Sequence, residues 1–355
     1  MQISAKSSPK LPSLDAGRFV AALLVVMFHA TLTVINFGGQ PPFDAVFRGG
    51  HSGVEYFFVL SGFIIYYAHR DDLSQPSKIK EYVRKRIIRI IPMLWFILIP
   101  WGIFRILFSG ETTNRLTGWD TLILDMLLLP HSGPLVLGVT WTLQRELVFY
   151  LLFSVSFFSR RAGLIILTIW QVAVVVFTVV GSPLGPWGNA IFGVSNLGFG
   201  LGLLIAISVD RIRIKRPRLL AAAGVLVFLV LLTTEYRIGG PIESDFRPLT
   251  MPLSVLLYTT AAAIGILGLV AFDRRGGGRY HKAITVLGGS SYVLYLVHGP
   301  IGSVFIRGLK PLHLSSEVLF LSLVIAPVIA AALIHLWIER PILRALRDPR
   351  KNAGS

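Results

Sequence analysis

Cysteine is missing from all 355 residues, which excludes disulfides, cysteine-ligated metals and an acyl-cysteine intermediate. Charge is scarce as well: 15% of the residues are charged against 54% hydrophobic, and mean hydropathy is +0.69. That is far too apolar for a water-soluble domain, so the chain reads as a polytopic membrane protein. Acids are fewer than bases, 18 Asp and Glu against 34 Lys and Arg, for a formal net charge of +16. In a soluble protein such a balance would imply nucleic acid; in a membrane protein basic residues gather in cytoplasmic loops and face anionic lipid. No internal repeat is evident, and no linker is long enough to separate a second domain. A GxSxG elbow, an HExxH zinc site and a P-loop are all absent, and the histidines do not fall at metal-ligand spacing, so no metal is expected.

What the sequence does hold is long apolar runs. Windows able to cross about 30 Å of hydrocarbon occur near residues 19–37, 52–68, 90–108, 142–158, 163–181, 189–209, 219–235, 250–272, 284–306 and 317–338. The expected fold is therefore all-α, with about ten transmembrane helices. The run from Thr121 to Pro130 is too short to span and is placed as an interfacial or re-entrant piece. Lys6, Lys10 and Arg18 ahead of the first run imitate a secretory signal, but the apolar stretch continues without a small-residue cleavage site, so it reads as an uncleaved span. Most of the 34 Lys and Arg fall in alternate loops: before the first span, between Arg70 and Arg89, at Arg160 and Arg161, between Arg211 and Arg218, between Arg274 and Lys282, and from Arg340 onward. This bias places both termini in the cytoplasm. The chain reads as one membrane domain, residues 1–341, followed by a basic cytoplasmic tail, residues 342–355, with no appended soluble enzyme.

Within the first span, Arg18 and His29 are eleven residues apart. On a helix that is about 1100°, three turns plus roughly 20°, so they share a face about 16 Å apart. An ionisable side chain within a span is costly and by default marks function. With orientation assigned, His29, Glu55, Glu146 and His298, from four different helices, come to overlapping depths in the outer half, with His51 and Trp141 near the outer mouth. Each alone has an ordinary reading as a core or interfacial side chain; together they supply the histidine and carboxylate that general base catalysis needs. On the cytoplasmic side, Arg86 and Arg89 lie at i, i+3 with Lys85 four residues before Arg89, a spacing that suits phosphate. Ser61, in FFVLSGF, reads as a small residue at a helix contact rather than as a nucleophile.

Six segments together are specific. Arg18 with His29, GVEYFFVLSGFII (Gly53 to Ile65), Arg86-Ile-Ile-Arg89 followed by Pro92, TWTLQRELVFYLLF (Thr140 to Phe153), LGGSSYVLYLVHGPI (Leu287 to Ile301) and ERP (Glu339 to Pro341) stand in the order found in acyltransferase family 3, which the chain resembles over nearly its whole length. The resemblance implies an integral-membrane O-acyltransferase of the inner membrane that uses acetyl-CoA from the cytoplasm and a hydroxyl on a polysaccharide or glycolipid. It implies catalytic roles for Arg18 and His29, a CoA-side role for Arg86 and Arg89, and a functional Glu146, the acid after the Trp-x-Leu signature. Arg18 and Lys85 join the expected phosphate contacts. His29 is expected to act as the base with Glu146 orienting it, and His51, Glu55, Trp141 and His298 to line the acceptor site. Glu55 stands where many members carry Asp. The expected partners are the carbohydrate acceptor and membrane lipid, not nucleic acid, with homo-oligomerisation left open. A proton-coupled transporter or exporter of a lipid-linked sugar is the alternative.

Overall fold

The computed structural model describes residues 11–108, 118–181, 184–238, 251–277 and 280–347. Lys6, Lys10 and residues 348–355 of the basic tail lie outside them. Among the described residues the fold is helical and contains no strand. In chain order the helices are α1 (Pro12–Asn36), α2 (Gly53–His69), α3 (Ile79–Phe108), α4 (Trp119–Met126), α5 (Thr140–Ser154), α6 (Arg160–Val180), α7 (Pro186–Phe192), α8 (Leu197–Ser208), α9 (Pro217–Ile238), α10 (Met251–Arg274), α11 (Lys282–Leu309), α12 (Ser316–Ile334) and α13 (Arg340–Arg347).

Hydropathy explains why these segments are helices: a backbone in hydrocarbon must satisfy its own hydrogen bonds. Among the described residues, eight helical segments are long and apolar enough to cross a membrane, counting α7 with α8 and α12 with α13 as single passes. Two expected spans fall short of that length among the described residues, α2 at 17 residues and α5 at 15. α5 ends early because the backbone tightens into a 3₁₀ turn at Val155–Phe157. The apolar run at Thr121–Pro130 contains α4, a helix of 8 residues packed on α3.

α1 is the hub. It packs against α2, α10, α11 and α12, and its buried face carries Leu14, Ala22, Val25, Val26 and Val34. Its start is fixed by Ser13, whose hydroxyl and amide both donate to Asp273 at the end of α10 (2.5 and 2.9 Å). The outer helices α6 and α9 expose Ile165, Ile169, Val176, Leu226 and Val230, a surface suited to a hydrocarbon solvent.

Two details govern the packing around the site. α2 and α8 meet backbone to backbone: a Cβ on Gly62 would press into the carbonyl of Phe199, and one on Gly202 into that of Val59. Gly62→Ala is therefore expected to cost about 1–3 kcal/mol, read as a lowered thermal midpoint of the detergent-solubilised protein; an unchanged midpoint would refute this close approach. The second is a break in the sixth expected span. The window 189–209 reads as one helix, whereas the chain leaves helical geometry at Gly193 and re-enters through a 3₁₀ turn at Val194–Asn196. The carbonyls freed there are satisfied from side chains: Asn196 Nδ2 donates to Ala190 and Ile191 (both 3.0 Å), and Trp170 Nε1 to Ile191 (2.7 Å).

Candidate active site

Two cavities open toward opposite ends of the bundle. The first, about 160 Å³, is walled by α1, α2, α3, α5 and α11 and lined by Arg18, Arg86, Arg89, Ser61, Glu146 and Tyr150, together with Tyr292 and Tyr295. It shares its three arginines with an outer groove of about 620 Å³ that adds Glu81, Arg84 and Lys85. Helix periodicity explains the clustering: Arg86 and Arg89 are neighbours on α3 and project beside Arg18 of α1. Three guanidiniums and one carboxylate line the inner cavity, so its charge is net positive.

Each arginine is held differently. Arg86 lies over the rings of Tyr82 (5.9 Å) and Tyr150 (5.7 Å), and its buried Nε has no hydrogen-bond partner among the described residues. Arg18 pairs loosely with Asp15 (3.6 Å). Arg89 sits over Tyr292 and donates to Glu339 (3.2 Å), a carboxylate with no exposed surface. Glu339 also accepts from His335 Nδ1 (2.5 Å), and His335 Nε2 accepts from Arg340 Nε (3.1 Å). A π-helical turn at His335–Glu339 sets this chain of contacts and leads into α13. Arg84 then donates to the Leu346 carbonyl, fastening α13 to α3. Glu339→Ala would leave the Arg89 guanidinium without its counter-ion at a cost of about 1.5–3 kcal/mol, seen as a lower melting midpoint; no change would mean the pair contributes nothing to the fold.

Lys85 is half exposed in the outer groove and pairs with Glu81 (2.7 Å). It does not line the inner cavity.

The second cavity, about 710 Å³, lies at the other end of α3 and α11. It is lined by His29, His298, Ser303, Arg105, Arg307, the aromatic residues Trp101, Phe104 and Phe108, and the 135–139 loop. His29 and His298 sit with ring centroids 4.9 Å apart. His29 Nδ1 lies 2.8 Å from the Val25 carbonyl and His298 Nδ1 lies 3.2 Å from that of Leu294. A carbonyl only accepts, so each neutral imidazole carries its proton on Nδ1 and presents Nε2 as an acceptor.

The loop that walls this cleft is pinned from two sides. Arg105 Nη1 donates to the carbonyls of Leu135 (3.0 Å) and Val136 (3.1 Å), and Asp125 accepts from the Val136 amide (2.6 Å) and pairs with His131 (3.0 Å). Burial pushes the Asp125 carboxyl above the usual carboxylate range, and its bonds to Val136 and His131 draw it partly back.

Tyr295 stands between the cavities. It lines the arginine cavity, lies 6.1 Å from the His298 ring, and is 3.2 Å from Thr142 through its hydroxyl.

The expected pairing of His29 with Glu146 is not what the structure holds. Glu146 accepts from Ser61 Oγ (2.7 Å) and Tyr150 OH (2.5 Å) in the arginine cavity, and no hydrogen bond among the described residues joins it to His29. Depth along a span gives height but not direction, and α5 turns this acid toward α2. Ser61 is correspondingly a polar cavity residue, while Gly62 beside it makes the close helix contact. Of the residues expected at the acceptor, His298 lines the cleft beside His29. His51 instead pairs with buried Glu235 (3.1 Å), which accepts from Tyr258 (2.7 Å), with Phe28 packed against both His29 and His51. Glu55 is buried on α2, and Trp141 packs against Phe58 and under the Arg145 guanidinium; neither lines the histidine cleft. Sequence reasoning passed over Glu235 and Asp125, although an acid inside an apolar window is itself a signal. It also passed over Arg105 and Arg307, which resemble ordinary helix-end charges. Among the described residues no three His, Asp or Glu converge as a metal site.

The chain is thus a multi-pass helical membrane protein with a guanidinium-lined cavity on one side and an imidazole pair in a separate cleft on the other. The chain belongs to the acyltransferase family: the acyltransferase domain matches residues 11–337. It is similar to the exopolysaccharide production protein ExoZ of Rhizobium meliloti, 24% identical over 87% of this chain and 94% of that one. Acyltransferase MdmB of Streptomyces mycarofaciens is 26% identical over 95% and 92% respectively. The O-acetyltransferase OatA of Staphylococcus aureus is 23% identical over 94% of this chain and 58% of its own, longer chain. No solved structure matches the chain.

Proposed function

We propose that this protein is an O-acyltransferase of the inner membrane that takes an acetyl group from acetyl-CoA at its basic, cytoplasmic face and delivers it to a carbohydrate hydroxyl in the histidine cleft. The observation that carries this reading is the His29 side chain: its Nδ1–H is held by the Val25 carbonyl, so its Nε2 faces a large cleft as a base, some 16 Å along α1 from Arg18. The names of the relatives, which include an O-acetyltransferase and an exopolysaccharide production protein, agree with it.

The steps follow from the residues. Arg18, Arg86 and Arg89 hold phosphates of the donor, with Lys85 and Arg84 at the entrance. Glu146, fixed by Ser61 and Tyr150, offsets the crowded positive charge and keeps the guanidiniums spread around the cavity. His298 orients the acceptor hydroxyl beside His29. His29 Nε2 takes the hydroxyl proton as the hydroxyl oxygen bonds to the thioester carbonyl carbon; the carbon–sulfur bond breaks, and the imidazolium gives that proton to the departing thiolate, which restores neutral His29. Direct transfer suits a chain without cysteine. Tyr295, which lines the arginine cavity 6.1 Å from the His298 ring, stands on the path this transfer requires.

The test is purified protein in lipid nanodiscs given acetyl-CoA and an oligosaccharide. Thiol release matched by acetylated sugar supports the reading; proton-coupled flux of a lipid-linked sugar without thiol release would replace it with transport.

A further inference from the structure

The histidine cleft is larger and more polar than a bare sugar hydroxyl requires. Arg105 and Arg307 both line it, and none of its lining residues is Asp or Glu. Arg307, in the last turn of α11, makes no hydrogen bond or ion pair among the described residues, so its N–H donors are not used by another side chain. Arg105 is planted at the wall by the Leu135 and Val136 carbonyls, which fixes a second guanidinium at the same rim. An apolar platform lies beside them: Trp101 and Phe104 stack at 5.4 Å and 17°, and Phe104 meets Phe108 at 5.2 Å. Flat aromatic faces bury the C–H faces of sugar rings, while guanidiniums select carboxylates and phosphates through paired N–H donors. Position adds a length. Arg307 follows His298 by nine residues on α11, about 13 Å along the helix. An anion held at Arg307 therefore lies beyond the ring whose hydroxyl meets His29.

We propose that the cleft formed by His29, His298, Trp101, Arg105 and Arg307 selects a saccharide that carries an anionic group, carboxylate or phosphate, on the unit next to the one acylated. The inference rests on the assignment of this cleft to the acceptor.

The experiment compares three length-matched oligosaccharide acceptors, neutral, uronate-bearing and phosphate-bearing, with full-length protein in nanodiscs at saturating acetyl-CoA. The expected result is a kcat/KM for at least one charged acceptor tenfold or more above the neutral one, falling as salt rises. R307Q is expected to bring the charged acceptor down to within twofold of the neutral one, and R307K to restore part of the difference. A higher value for the phosphate-bearing acceptor points to a lipid-linked diphosphate sugar, and a higher value for the uronate to an acidic polymer. Equal rates for neutral and charged acceptors, or an R307Q effect of the same size on both, overturns the proposal while leaving acyl transfer intact. If none of the three is acylated, the failure belongs to the acceptor assignment. Quenching of tryptophan fluorescence by the same three sugars then decides the charge preference: tighter binding of a charged sugar, lost in R307Q, supports it, and equal binding refutes it.

Discussion

His29→Ala is expected to abolish acyl transfer, with a fall of roughly 10²–10⁴-fold, the range a positioned general base contributes. Binding of the donor is expected to persist, because the arginine cavity and the histidine cleft are lined by different residues. The measurement is acetylated acceptor by mass spectrometry, beside acetyl-CoA binding to the same purified variant. His29→Gln keeps a side chain that can hydrogen-bond but cannot accept the proton, and should be as inactive. Transfer at the wild-type rate in either variant would remove the central role of His29. Loss of donor binding together with transfer would mean that the two cavities are one site.

Arg86→Ala carries the second large effect. Its guanidinium is braced over two tyrosine rings and has a buried Nε with no partner among the described residues, so replacing it should not orphan a carboxylate. Losing a charge-assisted hydrogen bond to phosphate is worth about 1.5–3 kcal/mol, or roughly 10- to 100-fold in donor KM. The acceptor KM should move little. Lysine keeps the charge but not the planar fork, so Arg86→Lys should recover only part of the affinity. An unchanged donor KM in Arg86→Ala would place the phosphates elsewhere.

How much of this could be read from the residues differs from element to element. Hydropathy located most of the helices, because a span is set by length and apolarity, and the i, i+3 spacing of Arg86 and Arg89 pointed to the side they share in the first cavity. It brought His29 to the level of His298, which share a cleft. It failed wherever direction around a helix decides the outcome. Glu146 has the depth expected of it but faces Ser61 and the arginines, and Glu55 and His51 turn into helix interfaces. The break at Gly193 was invisible because glycine in a span more often marks close packing, as at Gly62 and Gly202, than an interruption. The contact between Arg89 and Glu339 joins residues 250 positions apart, and no local pattern reports such a pair.

Tyr295 gives the fold one further property. Its ring lines the arginine cavity yet lies 6.1 Å from the His298 ring of the histidine cleft, and its hydroxyl is 3.2 Å from that of Thr142. A reaction running between the two cavities would have to pass this ring without opening a leak. Under the proposed transfer, whatever displaces the ring has to fill the gap it leaves, so the extended arm of the donor would serve as the stopper during each turnover.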